Sequence, residues 1–360
     1  MITELGFKHV HPLKVDQSIA IGALSVTPRR ALDKDVDSMF QIQTGDLNVL
    51  NVVDSWLDPT DIDKLAQFSP WDMVLWPFQT MRELEVITPS RASPPSDRLP
   101  REWIEQLKVL NPRYVVPSSC QFVHEEWSWY NRALFPVSYK QFQQEVEAAL
   151  PHTHVVRLNP SVSVVLDKLS LRKSASLAWV EPLGEQNVDY AFSMDSTPMP
   201  TAEISKRLSA LDAQQTATVI EFCQSGLATK YSALEPSAEI YFLQSRLWRL
   251  TLYDHAGQRT DFHYRIKGSQ IELVIEHEQP LGWTTELPIA KLYAALVRGE
   301  TLTSMYVRIN DTVFTPDIER AMAGVDCVED PLIRSLFSGV FGAYQRNQLQ
   351  ILKAGDPLRS

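Results

Sequence analysis

Apolar and polar positions along the chain alternate with two different periods, and the switch between them outlines the elements. Residues 18–21 and 23–27 flank Gly22, and 38–43 alternate before the turn Thr44-Gly45-Asp46, which reads as three strands divided by turns. Residues 47–53 run almost continuously apolar, as a strand buried on both faces does, and end in Asp54 and Ser55. Helical spacing begins after Thr60, expected to cap a short helix over 60–68. Residues 71–78 form another apolar run stopped by Pro77, residues 87–100 hold a proline-rich loop, 101–110 suit a helix, and 114–117 a third buried strand. A helix over 138–150 and a strand over 154–158 follow. Strands and helices alternating in this order predict a layered α/β sheet.

The second half reads differently. Residues 181–202 are rich in turn formers, and two helices are expected over 201–211 and 213–227, the first capped by Thr201. Residues 238–253, 259–267 and 270–276 alternate aromatic and β-branched residues and are divided by Asp254-His255-Ala256-Gly257 and Lys267-Gly268-Ser269. A helix over 288–298 has its proline at the start and Gly299 past its end. A strand over 301–309 and a helix over 331–354 complete the reading. The expected division is 1–160 for the layered sheet, 161–230 for a linker with two helices, 231–325 for a smaller α+β module, and 326–360 for a terminal helix.

Composition narrows the partners. The 360 residues are 44% hydrophobic and 22% charged, with a formal net charge of −10. An acidic chain is a poor match for nucleic acid or an anionic membrane surface, both of which reward clustered Lys and Arg. No apolar run approaches the roughly 20 residues of a membrane helix. Three widely spaced cysteines, Cys120, Cys223 and Cys327, make no disulfide framework and no CxxC pair, which with the absence of a signal peptide points to the cytoplasm.

Candidate chemistry is sparse. Two His-X-His pairs, His9/His11 and His152/His154, have the spacing that lets two imidazoles share a metal on one strand face. Neither continues as His-X-His-X-Asp-His, and both read as surface or packing histidines. Asp33, Asp35 and Asp37 offer hard oxygens but lack the glycine and distal glutamate of a calcium loop. Ser118, Ser119 and Cys120 follow the third buried strand directly, at the sheet edge shared with Asp54. Cys120 with His124 has the residue types of a nucleophile and base, against the plainer reading of a buried structural cysteine.

The run GFKHV, IAIGALSVTP, DVDSMFQI, LNVLNVVDS, PWDMVLWPF and NPRYVVPSS resembles, over roughly residues 5–160, the second half of the metallo-β-lactamase fold. The similar branch is that near cytidine monophosphate-N-acetylneuraminate hydroxylase and the N-acylphosphatidylethanolamine phospholipase-like hydrolases. The resemblance implies Asp54 as the bridging metal ligand, Leu32 or Asp33 at the place of the middle histidine, and Ser119 at that of the last, with Ser118, Ser119, Cys120 and His124 along a substrate pocket. It also implies that the half carrying His-X-His-X-Asp-His would precede Met1. Zinc or another divalent metal would then need a missing N-terminal segment or a partner chain to complete the site. The expected protein is a truncated or degenerate metal-dependent hydrolase of this fold. The alternative is a non-catalytic binding or scaffold protein holding an apolar ligand or a partner. A sheet so shortened exposes an edge, which implies a homodimer or a complementing chain. The 231–325 module resembles sterol-carrier-like domains, implying an acyl or other apolar ligand.

Overall fold

The computed structural model describes residues 8–33, 37–52, 55–78, 82, 94–96, 98–118, 127–128, 130–181, 188–193, 199–234, 241–276, 278–302, 306–309 and 330–337. Residues 9–82 and 94–196 gather into one compact unit, and the chain from 197 onward into a second. Both mix sheet and helix.

The first unit is built on a seven-stranded sheet whose spatial order is the chain order: β1 (Ile19–Ile21), β2 (Leu24–Arg30), β3 (Ser38–Thr44), β4 (Leu47–Asn51), β5 (Met73–Pro77), β6 (Tyr114–Ser118) and β7 (His154–Val155). β1 to β4 are antiparallel and β4 to β7 parallel. The tight turns β1–β2 and β3–β4 contain Gly22 (φ 60°) and Gly45 (φ 53°), where a Cβ would be strained. Parallel neighbours need longer crossovers, which carry the helices Ile62–Ala66, Arg101–Leu110 and Tyr139–Ala149.

The sheet's two faces differ. Leu50, Val52, Val74, Trp76 and Val115 are buried with Leu65, Leu107, Phe142 and Val146 from the helices. On the opposite face Met73 and Val116 of the inner parallel strands are buried, whereas Val26, Ile42, Val49 and Leu75 are only half-buried. At its β1 end, Ile21, Leu24 and Phe40 are 57%, 40% and 37% exposed. β4 was expected to be buried on both faces. It alternates instead, with Asn48 and Leu50 buried and Val49 half-buried, because the helices cover one side.

The expected cap Thr60 also differs. Asp58 is the capping acceptor, taking hydrogen bonds from the Thr60 backbone N (2.9 Å) and Oγ1 (2.7 Å), so a 3₁₀ turn over Pro59–Asp61 precedes the helix. Asp-Pro already favours that geometry.

A hairpin, β8 (Ser163–Leu166) with β9 (Leu171–Ser174), opens the stretch expected to be a linker with two helices. It is fastened by Arg113, which donates to the carbonyls of Lys168 (2.9 Å) and Asp167 (3.2 Å) and pairs with Asp72 (3.1 Å).

In the second unit a five-stranded sheet runs β12 (Gln270–Val274), β11 (Arg259–Lys267), β10 (Arg246–Tyr253), β13 (Leu281–Pro288), β14 (Arg308–Ile309), with only β10 and β13 parallel. Trp248, Leu250, Leu252, Tyr264, Trp283 and Leu287 pack from this sheet against Phe222, Leu227, Tyr231, Leu292 and Leu332. The space between the sheet and the helix beginning at Ile289 is therefore filled by side chains. Thr201, expected to cap its helix, instead donates from Oγ1 to Glu286 Oε1 (2.6 Å), and Pro200 holds the N-cap position. The helix over Ala213–Glu221 continues through a π-helical stretch, Phe222–Gly226, into Leu227–Ser232. Of the strand expected over 238–253, residues Tyr241–Leu243 form a 3₁₀ turn and β10 starts only at Arg246.

Candidate functional site

Three adjacent parallel strands, β4, β5 and β6, end at one rim, the location where open α/β sheets bind ligands. Their last residues are Asn51, Pro77 and Ser118. The main chain closes the rim tightly: Val52 N donates to Leu75 O (3.0 Å), Phe78 N to Ser118 O (3.1 Å) and Ser55 N to Val52 O (2.9 Å). Beyond Ser55 the chain returns beside the end of β2. Leu32 N donates to Trp56 O (2.7 Å), and Ala31 bridges Leu57. The segment ending in Asp33 and the segment following Asp54 thus lie side by side.

Asp54, Ser119, Cys120 and His124 lie outside the described residues. Asp33 is exposed, its carbonyl accepting from Asp37 N (2.9 Å). Ser118 is half-buried and its Oγ donates to the Trp76 carbonyl (3.1 Å), which ties the hydroxyl to the neighbouring strand. Of the histidine pairs, His9 and His11 are both exposed, and His152 and His154 flank the buried Thr153, whose Oγ1 donates to Pro112 O (2.7 Å). Buried Cys223 has its thiol pushed up to about 12 by desolvation, so it stays a protonated packing group.

Several groups near the rim carried no weight in the sequence reading. Arg30 Nε lies 3.1 Å from Asp58 Oδ2, and Trp56 stacks on Trp103 with centroids 4.6 Å apart. Asn51 Oδ1, at the end of β4, is buried and has no hydrogen-bond partner among the described residues. The Asp-Pro-Thr turn was the only local signal for Asp58; the Arg30 and Trp103 contacts join residues too far apart for any sequence period to reveal.

A metal site of the kind expected from the sequence needs several N or O donors in fixed geometry. Among the described residues no group of three His, Cys, Asp or Glu side chains comes together. One orphaned amide oxygen and an exposed carboxylate do not make a ligand set, so the described residues do not fit a metal centre.

No family model matches the chain, and no curated protein matches it. Solved structures similar to part of it include CmlA, a diiron beta-hydroxylase from Streptomyces venezuelae (16% identity over 44% of this chain and 35% of that one, TM-score 0.31). Others are Igni18, a metallo hydrolase from the hyperthermophilic archaeon Ignicoccus hospitalis (16%, 44% and 61%, TM-score 0.29), and the MycE methyltransferase of the mycinamycin biosynthetic pathway (16%, 34% and 33%, TM-score 0.23). The matched part spans less than two thirds of each of these proteins. Among the described residues no helix is long and apolar enough to cross a membrane.

Proposed function

We propose that the chain is a metal-dependent-hydrolase-like protein of metallo-β-lactamase type whose metal site is degenerate, with Asp54 as its retained ligand. The observation that carries this reading is the shared rim: β4, β5 and β6 are parallel neighbours, and in the sequence Asp54 comes three residues after the end of β4 while Ser119 and Cys120 come next after β6, which ends at Ser118. Open α/β sheets bind ligands at such a strand-end rim, and the metallo-β-lactamase resemblance gives Asp54 the role of a bridging ligand there. Residues 1–360 contain no His-X-His-X-Asp-His, so they supply Asp54 with none of the histidines that motif would bring to a dinuclear centre. No catalytic step through a metal is assigned to it.

Elemental analysis of the purified, dialysed chain tests this. Sub-stoichiometric zinc, iron and manganese, unchanged in Asp54→Ala, are expected. A full equivalent of one metal that Asp54→Ala removes would show an intact centre and overturn the degenerate site. A second reading, a non-catalytic binding protein, draws support from the exposed apolar side chains at the β1 end of the sheet.

A further inference from the structure

We propose that the outward face of β1–β4 is a self-association surface, covered in solution by the same face of a second copy of this chain. The in-register pairs show which side chains share that face: Ile21 with Leu24, Val26 with Ile42 and Val49, and Phe40 two positions before Ile42. Ile21, Leu24 and Phe40 are exposed, and the other three are half-buried.

The polarity of these strands is the reverse of a solvated sheet. An antiparallel sheet with one face in water turns apolar residues inward and polar residues outward. Here Thr27, Arg29, Gln41 and Asn48 are buried on the helix-covered side, where Gln41 stands in register with Leu50 and Arg29 with Met39. The aliphatic and aromatic positions of the same strands take the other side. A slip of one residue would exchange the two sets. The buried hydrogen bonds from Arg29 to Gln41 and from Gln41 to Asn48 hold the register as it is. The apolar side chains therefore face outward by construction, which suits a face that is to be covered.

The charges choose the occupant. On the outward face of these four strands the charged side chain is Arg30, at the end of β2 and 3.1 Å from Asp58. Two copies of a chain with a net charge of −10 repel each other over most of their surface, and strands without a carboxylate on this face let them meet there. Nucleic acid and anionic lipid call for clustered cations, which these strands do not present. A different protein would be selected by complementary charges. Rows of Ile, Leu, Val and Phe offer no such code, whereas across a twofold axis they meet their own kind. Two sheets packed in this way lie about 10 Å apart with their side chains interdigitated. β1 is only three residues long, and so short an edge strand disfavours edge-to-edge pairing, which leaves the face to carry the contact. This surface needs no metal at the rim.

Sedimentation velocity of the whole chain across the micromolar range tests it. A concentration-dependent dimer is expected in the parent. Leu24→Glu on β2 and Phe40→Glu on β3 each set a carboxylate against its counterpart and should weaken the dimer about tenfold or more. Ile275→Glu, at an exposed position of the second unit, should leave it unchanged. Leu24 and Phe40 are already exposed, so the new charge meets water in the monomer, and a far-UV circular dichroism spectrum identical to the parent's shows that each variant is folded. A parent that stays monomeric throughout, a dimer that either folded face variant preserves, or equal weakening in Ile275→Glu would each overturn the assignment.

Discussion

Asp16 shows how much a single residue can depend on partners the sequence does not advertise. It lies in the left-handed region (φ 65°), which Asp tolerates, and pairs with Lys64 and with Arg29 Nη1 (2.6 Å). The Lys64 hydrogen bond, with Arg29 adding to it, holds its carboxyl below the ordinary value of 3.8. A depressed folded-state value means that the stabilisation is present above 3.8 and disappears as pH falls through the folded-state value. The side chain is 39% exposed, so solvent screening limits the contribution to under about 1 kcal/mol. Asp16→Asn is therefore expected to lose no more than that at neutral pH, with the gap to the parent closing in acid; urea denaturation across that range measures it. A gap that widens on acidification would contradict the ion-pair account. Behind Asp16, Arg29 Nε donates to Gln41 Oε1 (2.9 Å), Gln41 Nε2 to Asn48 Oδ1 (2.9 Å), and Asn48 N to Asp72 Oδ2 (2.9 Å). Polar side chains can sit on the buried face here because each is satisfied by the next. In the sequence this run looked like ordinary alternation.

Among the elements, legibility followed burial. β2 to β6 have apolar positions packed against helices, and these runs stood out. β8 and β9 were missed because no residue of either strand is fully buried, so no two-residue period forms. β13 was missed for another reason. Its core side, Trp283, Thr285 and Leu287, includes a threonine whose hydroxyl donates to a buried carboxylate, which blurs the apolar pattern. Its parallel pairing with β10 also joins segments distant in sequence. The β8–β9 hairpin depends on its tether. Arg113→Ala leaves the buried Asp72 with Lys168 (3.3 Å) as its remaining ion-pair partner and should destabilise the chain by about 1–3 kcal/mol. Limited proteolysis should then cut the 163–174 hairpin sooner than in the parent. An unchanged digestion pattern with unchanged stability would show that the hairpin does not rely on Arg113.

At the scale of the whole molecule, two compact units each have their own hydrophobic cluster. Buried Asp330 fastens the Pro331–Phe337 helix to the second unit's sheet. Its carboxyl accepts from Trp283 Nε1 (2.9 Å), Thr285 Oγ1, Leu332 N (2.9 Å) and Ile333 N (3.1 Å). Burial drives this carboxyl above its ordinary value, while those donors pull the other way. Removing it orphans four donors, three of them buried, so Asp330→Ala should cost about 3 kcal/mol or more. Scanning calorimetry is expected to show two transitions in the parent, with only one moved down by this substitution. A single transition that shifts as a whole would mean that the chain melts cooperatively as one body.

The sequence by itself determined the mixed α/β class, the order of the early strands and helices, and the turns at Gly22 and Gly45. Each of these is written in neighbouring residues, as a period, a breaker or a cap. Tertiary structure alone decided which face of the sheet the helices cover, that β10 and β13 run side by side, and that Asp58 rather than Thr60 holds the cap. It also brought the end of β2 beside the chain leaving β4. Apart from the cap, where Asp58 and Thr60 are two positions apart, those outcomes depend on contacts between residues tens of positions apart. Pairing over such distances is selected by the packing and hydrogen bonding of the whole unit, which no local pattern records.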